Sequence, residues 1–169
     1  TNLYGPGDNY HPTHSHVIPA LIRKLHEAKA AGAPTVTVWG TGTPRREFLY
    51  SDDMADACVF LMNLDDERYL ALLGSDESVS GRFEPPLVNI GTGEDVTIAE
   101  LARIVAGVVG YAGGSEYDTT KPDGTPRKLM DVGRLASVGW KATTPLTAGL
   151  HQAYESFIDR CRAIGIEAP

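Results

Sequence analysis

The run Val38-Trp39-Gly40-Thr41-Gly42-Thr43-Pro44-Arg45-Arg46-Glu47-Phe48 brings an indole, a glycine-rich turn and two adjacent guanidiniums within a few residues. Arginine forks match diphosphate oxygens, aromatic faces cover planar rings, and glycines let backbone approach a ligand. That inventory suits a nucleotide-sugar better than a bare structural turn. Read alone, Arg45 and Arg46 could equally be a solvated pair. His11, His14 and His16 form a His-x-x-His-x-His run. Loop histidines alone rarely complete a coordination shell, so no metal is expected. His16 stands at a helix start, facing the end of a sheet where α/β ligands sit. Its chemistry fits either a proton-donating acid or a capping and packing residue. His26 and His151 fall inside helices and read as surface or interfacial.

The elements that must position these groups are visible in the pattern. Thr1-Asn2-Leu3-Tyr4-Gly5 reads as the end of a strand entering a loop over 5–14, so its sheet partners are expected upstream of an abrupt start. Ser15 can cap a helix to about residue 31, with Val17, Ile18, Leu21, Ile22, Leu25 and Ala28 on one face and Pro19 in its first turn. Thr35 to Trp39 is a short strand, and Arg46 to Tyr50 extends again. Ser51 caps a second helix with a broad apolar face, and Asp52 and Asp53 favour its positive end. Residues 65–86 read as a mobile, irregular insertion. Leu87 to Ile90 reads as a buried strand entering Gly91-Thr92-Gly93. Thr97-Ile98-Ala99-Glu100 is a capping box opening a helix that Gly110 stops. A strand over 116–119, a turn at Lys121-Pro122-Asp123-Gly124, a short helix over 132–138 and a last helix from Thr144-Pro145 complete an α/β chain. The strands are too few for a self-sufficient doubly wound sheet.

The 169 residues suffice for one domain with a core, at 42% apolar and 22% charged. A net charge of -7 argues against non-specific nucleic-acid or anionic-membrane binding. An anionic ligand therefore needs a local basic cluster. No apolar run reaches membrane-spanning length and no signal peptide is evident. Cys58 and Cys161 read as two buried thiols in a reducing compartment, so a cytoplasmic protein is expected. Gly40-Thr41-Gly42 and Gly91-Thr92-Gly93 follow strands but lack a third glycine, so they read as turns.

Several segments resemble the GDP-L-fucose synthase family, within the extended short-chain dehydrogenase/reductases. They are Asn2-Leu3-Tyr4-Gly5-Pro6-Gly7-Asp8-Asn9, Ser15-His16-Val17-Ile18-Pro19-Ala20-Leu21, Val38 to Phe48, Asn89-Ile90-Gly91-Thr92-Gly93 and Lys121 to Leu129. Leu3-Tyr4-Gly5-Pro6 and Asn89-Ile90-Gly91 are broadly shared; the histidine loop, the Trp39 run and Pro122-Asp123-Gly124-Thr125-Pro126-Arg127-Lys128 are more specific. The resemblance covers nearly the whole chain except 65–86 and the last residues, and corresponds to the C-terminal half of a family member.

The resemblance implies conversion of GDP-4-keto-6-deoxy-D-mannose to GDP-L-fucose, by epimerisation at C3 and C5 and then reduction of the C4 ketone by NADPH. His16 matches the acid of the epimerisation. The base cysteine and the Ser/Tyr/Lys hydride-transfer set would lie upstream. Thr1, Asn2 and Leu3, with His16, match positions bordering the nicotinamide end of NADP(H). Lys24, Trp39, Arg46, Asp123 and Lys128 match nucleotide-sugar contacts, with Arg46 and Lys128 on the diphosphate. Lys24 stands where arginine is frequent, keeping the charge and losing the fork.

The same resemblance makes 1–169 the GDP-sugar-binding portion, with 1–5, 52–64 and 87–92 packing on a Rossmann half outside this chain. The complete enzyme is then a cytoplasmic homodimer. The chain alone is expected neither to hold NADP(H) nor to turn over substrate. The alternatives are the substrate domain of another nucleotide-sugar epimerase or dehydratase, and a non-catalytic nucleotide-sugar binding module.

Overall fold

The computed structural model describes residues 1–73 and 87–163. Strands β1 (Asn2–Tyr4), β2 (Thr35–Trp39), β3 (Arg45–Arg46), β4 (Phe48–Tyr50), β5 (Val96–Thr97), β6 (Gly114–Asp118) and β7 (Arg127–Lys128) alternate with helices. The helices are α1 (Val17–Ala30), α2 (Ser51–Met62), α3 (Asp66–Leu73), α4 (Ile98–Val109), α5 (Gly133–Ser137) and α6 (Leu146–Ala163). The chain is α/β, as its pattern predicts. Among the described residues the strands make three small sheets. β1 pairs with β4 and β2 with β6, both parallel, while β3 lies between antiparallel β5 and parallel β7.

Strand β2 shows how side-chain period sets the site. Val36 and Val38 are buried, whereas Thr35, Thr37 and Trp39 are exposed. A period of two sends alternate side chains to opposite faces. The valines join the main core with Leu21, Ile22 and Leu25 of α1 and Leu101 and Val105 of α4. The indole of Trp39 is thereby left on the solvent side, 59% exposed. α4 opens with the expected capping box, Thr97 and Glu100 exchanging bonds, and closes on Gly110 at φ 73°. A second core gathers Leu49, Ala57, Leu135 and Trp140 beneath β4 and α2.

Several expectations need correction. The N-cap position of α1 belongs to His16 rather than Ser15, and the imidazole makes no capping bond. His26 is buried, because helical spacing places it on the face of Ile22, against Phe157; its Nδ1 lies 3.0 Å from the Tyr154 hydroxyl. Cys161 is buried but Cys58 is exposed. Only Asp53 and Ala57 of α2 are buried, so the apolar side of that helix carries Cys58, Val59 and Met62 uncovered. Leu87 to Ile90 joins no ladder among the described residues; Val88 and Ile90 pack on the second core instead. Within the stretch read as an irregular insertion, Asp66–Leu73 is helical and 74–86 lies outside the described residues.

Candidate functional site

The parallel pairing of β3 with β7 sets Arg45 opposite Arg127 and Arg46 opposite Lys128. Alternation then divides the four cations between two faces. On one face Asp95 collects both arginines. Its Oδ1 accepts from Arg45 Nε at 2.7 Å and its Oδ2 from Arg127 Nε at 2.5 Å. Arg45 Nη2 also donates to the Asp95 carbonyl at 2.9 Å. Hydrogen bonds from Arg127 and then Arg45 hold the Asp95 carboxyl below the usual carboxylate range. On the other face, Arg46 and Lys128 have no carboxylate partner among the described residues. The Arg46 guanidinium donates only to main-chain carbonyls, of Arg45 at 2.7 Å and Asp123 at 3.5 Å. Arg45 Nη1 also lies 3.8 Å from Glu100 Oε2, so two carboxylates serve the first two cations, and the other two have none among the described residues.

Asp123 joins this pair to the tryptophan turn. Its Oδ1 accepts from Thr41 N and its Oδ2 from Thr41 Oγ1, both at 2.7 Å. The turn requires glycine at 40: φ is +80° there, and a Cβ would collide with the Asp123 carboxylate. Trp39 in turn receives two ammoniums, Lys24 Nζ at 5.0 Å and Lys121 Nζ at 5.4 Å from the ring centroid. Both distances fall within cation–π reach. Lys24 and Trp39 line a cleft of about 230 Å³ with Ser15 and Val17 on its rim. Burial lowers the Lys24 pKa, and its Nζ also donates to Thr37 O at 3.4 Å.

Glu47 fastens the cation strands to their surroundings. It is fully buried and has no ion-pair partner among the described residues. Instead its Oε1 accepts from Thr92 N at 2.8 Å and Gly93 N at 2.7 Å, and its Oε2 from Met130 N at 3.2 Å. Its main-chain carbonyl accepts from both N and Nδ2 of Asn2. A Cβ on Gly91 would stand 2.5 Å from Glu47 Oε1, which explains the glycine in Asn89-Ile90-Gly91.

Comparison with known proteins shows what the chain is similar to. The NAD dependent epimerase/dehydratase family matches residues 1–70. GDP-L-fucose synthase 1 of Arabidopsis thaliana is 54% identical over 158 residues, spanning 94% of this chain and 44% of that protein. The chain is homologous to the GDP-L-fucose synthases. A GDP-6-OMe-4-keto-L-xylo-heptose reductase from Campylobacter jejuni superposes with a TM-score of 0.81 at 33% identity, over 94% of this chain and 52% of that one. A GDP-mannoheptose C4 reductase from the same organism, with NADP bound, gives 0.75 at 31% identity, over 92% and 50%. The chain spans about half the length of the relatives it matches.

In this chain the expected site residues fall into linked groups. Lys24 and Trp39 share one cleft, while Arg46 lines another of about 340 Å³ with Thr92, Asp95 and Thr144. Lys128 and Asp123 line neither cleft, and Asp123 is the link between the two. His16 is exposed, flanked by the cleft residues Ser15 and Val17, and its side chain makes no hydrogen bond among the described residues. Asn2 bonds the Glu47 carbonyl, next in sequence to Arg46, and Asn2 and Leu3 pair with Phe48 and Leu49 of β4.

Glu47, Asp95 and Lys121 are absent from the site read in the sequence. Glu47 and Asp95 find their partners some thirty to eighty residues away, and no local spacing announces that. Lys121 did carry a signal, since Tyr117 and Lys121 have Tyr-x-x-x-Lys spacing. The structure puts Tyr117 on strand β6 and Lys121 in the turn after it, so they share no helical face; Lys121 lies over Trp39. Among the described residues no group of His, Cys, Asp and Glu is placed to hold a metal ion.

Proposed function

We propose that this chain forms the GDP-sugar-binding portion of an NADP-dependent enzyme that epimerises C3 and C5 of GDP-4-keto-6-deoxy-D-mannose and then reduces C4, giving GDP-L-fucose. The observation that carries this reading is the free Arg46–Lys128 pair, coupled through Asp123 to the turn that presents Trp39. Fork-like and point cations together match a diphosphate, and an exposed indole matches a planar base or a sugar face. Lys24 adds a cation beside that ring. Such a local cluster is what an anionic ligand requires on a chain of net charge -7.

In this reading His16 is the acid of the epimerisation. The 4-keto group acidifies the neighbouring C–H bonds, and a protonated imidazole can return a proton to the carbanion. Exposure at the N-cap of α1, beside the Trp39 cleft, leaves the ring free to reach a bound sugar. NADPH, when bound, supplies the hydride for C4. Thr1, Asn2 and Leu3 would border its nicotinamide end. Leu3, Val59, Met62 and Leu87 expose apolar surface on the three segments assigned to packing against a Rossmann half. The complete enzyme is read as a cytoplasmic homodimer. No helix among the described residues is long and apolar enough to cross a membrane.

The test is calorimetric titration of GDP into the 169-residue chain. Saturable binding that Arg46→Ala and Lys128→Ala each weaken at least about tenfold supports the reading. Absence of binding, or binding indifferent to both substitutions, overturns it. The chain alone is expected to show no NADPH oxidation with the keto-sugar.

A further inference from the structure

Lys121 combines a fixed main chain with an uncommitted side chain. Strand β6 ends beside the indole, where Asp118 pairs with Trp39 across the ladder. The Asp118 carbonyl then accepts from Gly40 N at 2.9 Å and from Lys121 N at 3.2 Å. Two residues beyond Lys121, Asp123 holds Thr41 through both carboxylate oxygens. The segment is thus fastened to the tryptophan turn on either side of Lys121. The ammonium itself lies 5.4 Å from the indole centroid and, among the described residues, makes no hydrogen bond and no ion pair. Lys24 differs, since its Nζ also donates to Thr37 O at 3.4 Å.

Two carboxylates belong to the same segment, and both are already engaged. Asp118 Oδ1 accepts from Thr120 N at 3.0 Å and from Thr120 Oγ1 at 2.6 Å. Those bonds, ahead of the nearby charge of Lys121, hold the Asp118 carboxyl below the usual carboxylate range. Asp123 is spent on Thr41. The segment then continues to Arg46: the Asp123 carbonyl accepts from Arg46 Nη2 at 3.5 Å, and a Cβ on Gly124 would stand 3.7 Å from that nitrogen. Residues 121–124 therefore run from the indole to the guanidinium, with Lys121 at the indole end.

We propose that Lys121 is a specificity-determining residue of the GDP-sugar site, its ammonium leaving the indole for the phosphate joined to the nucleoside when the base covers Trp39. This rests on the GDP-sugar reading above. An exposed ammonium–ring contact is weaker than a charge-assisted hydrogen bond to a phosphate oxygen, so a phosphate within reach draws the ammonium off the ring. Lysine suits the task, being a point charge on a flexible four-carbon stem that can swing while the fastened main chain stays still. Arg46 and Lys128 remain for the distal phosphate. A neutral nucleoside breaks the same ring contact and returns nothing to the ammonium, so Lys121 favours ligands that carry charge next to the nucleoside.

The experiment titrates GDP, GMP and guanosine into the 169-residue chain and its Lys121→Met, Lys121→Arg and Arg46→Ala variants, by calorimetry. Lys121→Met weakens GDP and GMP by the same factor, about tenfold, because both carry that phosphate, and it does not weaken guanosine. Lys121→Arg stays within about threefold of the parent, since it keeps the charge. The ε-methylene resonance of Lys121, assigned from its loss in Lys121→Met, moves as GDP saturates the chain. GDP binding that needs Arg46 yet ignores Lys121→Met, a loss for GDP without one for GMP, an equal loss for guanosine, or a stationary ε-methylene signal each overturns the proposal and leaves the GDP-sugar reading standing. No binding of GDP to the parent chain overturns both. Lys121 is exposed, and unchanged melting of its variants establishes that they fold.

Discussion

Arg46 and Lys128 are partners across the parallel β3–β7 ladder, and Asp95 bonds neither of them. Arg45 and Arg127, one residue earlier on each strand, are consumed by that aspartate. The difference between structural and ligand-facing cations is therefore a matter of register, not of residue type. It follows that Arg46 and Lys128 answer differently to conservative exchange. Arg46→Lys keeps the charge and loses the fork, so GDP affinity should fall about tenfold, whereas Lys128→Arg should hold it. Calorimetry at fixed salt separates the two; equal losses would refute a bidentate role for Arg46.

Glu47 makes a second prediction. Glu47→Ala strands the amides of Thr92, Gly93 and Met130 in a buried site. An unsatisfied buried donor costs about 1–3 kcal/mol, so the chain should lose at least about 3 kcal/mol in denaturant unfolding. Glu47→Gln should lose less, since its amide oxygen keeps the Thr92 and Gly93 bonds. A loss below about 1 kcal/mol for the alanine variant would show that water replaces the carboxylate.

Asp95 sets an acid limit on stability. Its carboxyl titrates below its ordinary value of 3.8 in the folded chain. A depressed carboxyl favours folding above that value and loses the contribution as pH falls through the folded pKa, because the unfolded chain takes up the proton first. Asp95→Asn should therefore destabilise near neutral pH, and the gap from the parent should narrow on acidification below 3.8. A gap constant across that range would contradict the assignment.

The two thiols should differ in reactivity. Cys58 is exposed on α2 and Cys161 is buried between α6 and its neighbours. An aromatic disulfide reagent should modify one thiol of the native chain promptly and the second only on unfolding. Mass mapping that finds Cys161 modified first would overturn the burial seen here.

Local punctuation was readable directly from residue types. Thr97 and Glu100 announce a capping box, Gly110 a helix stop, and Thr35 to Trp39 a short strand, because each is fixed within a few residues. The candidate site was legible only in its ligand-facing members. Asp95 and Glu47 act through partners distant in sequence, and an acidic residue shows nothing locally of the amides it will meet. Cys58 was misread because an apolar helical face implies burial, yet α2 leaves that face uncovered among the described residues. Leu87 to Ile90 has strand composition, but composition cannot supply a neighbour to pair with.

The lysines over Trp39 bear on how a ligand would arrive. Lys24 and Lys121 already occupy the electron-rich region of the indole. A ring seeking to stack there must first evict an ammonium, giving up about 0.5–1 kcal/mol of attraction for each one displaced. The lysines thus act as placeholders that screen the indole from casual apolar contacts. They yield to a visitor that brings its own negative charge, because the evicted ammonium can then turn to that charge.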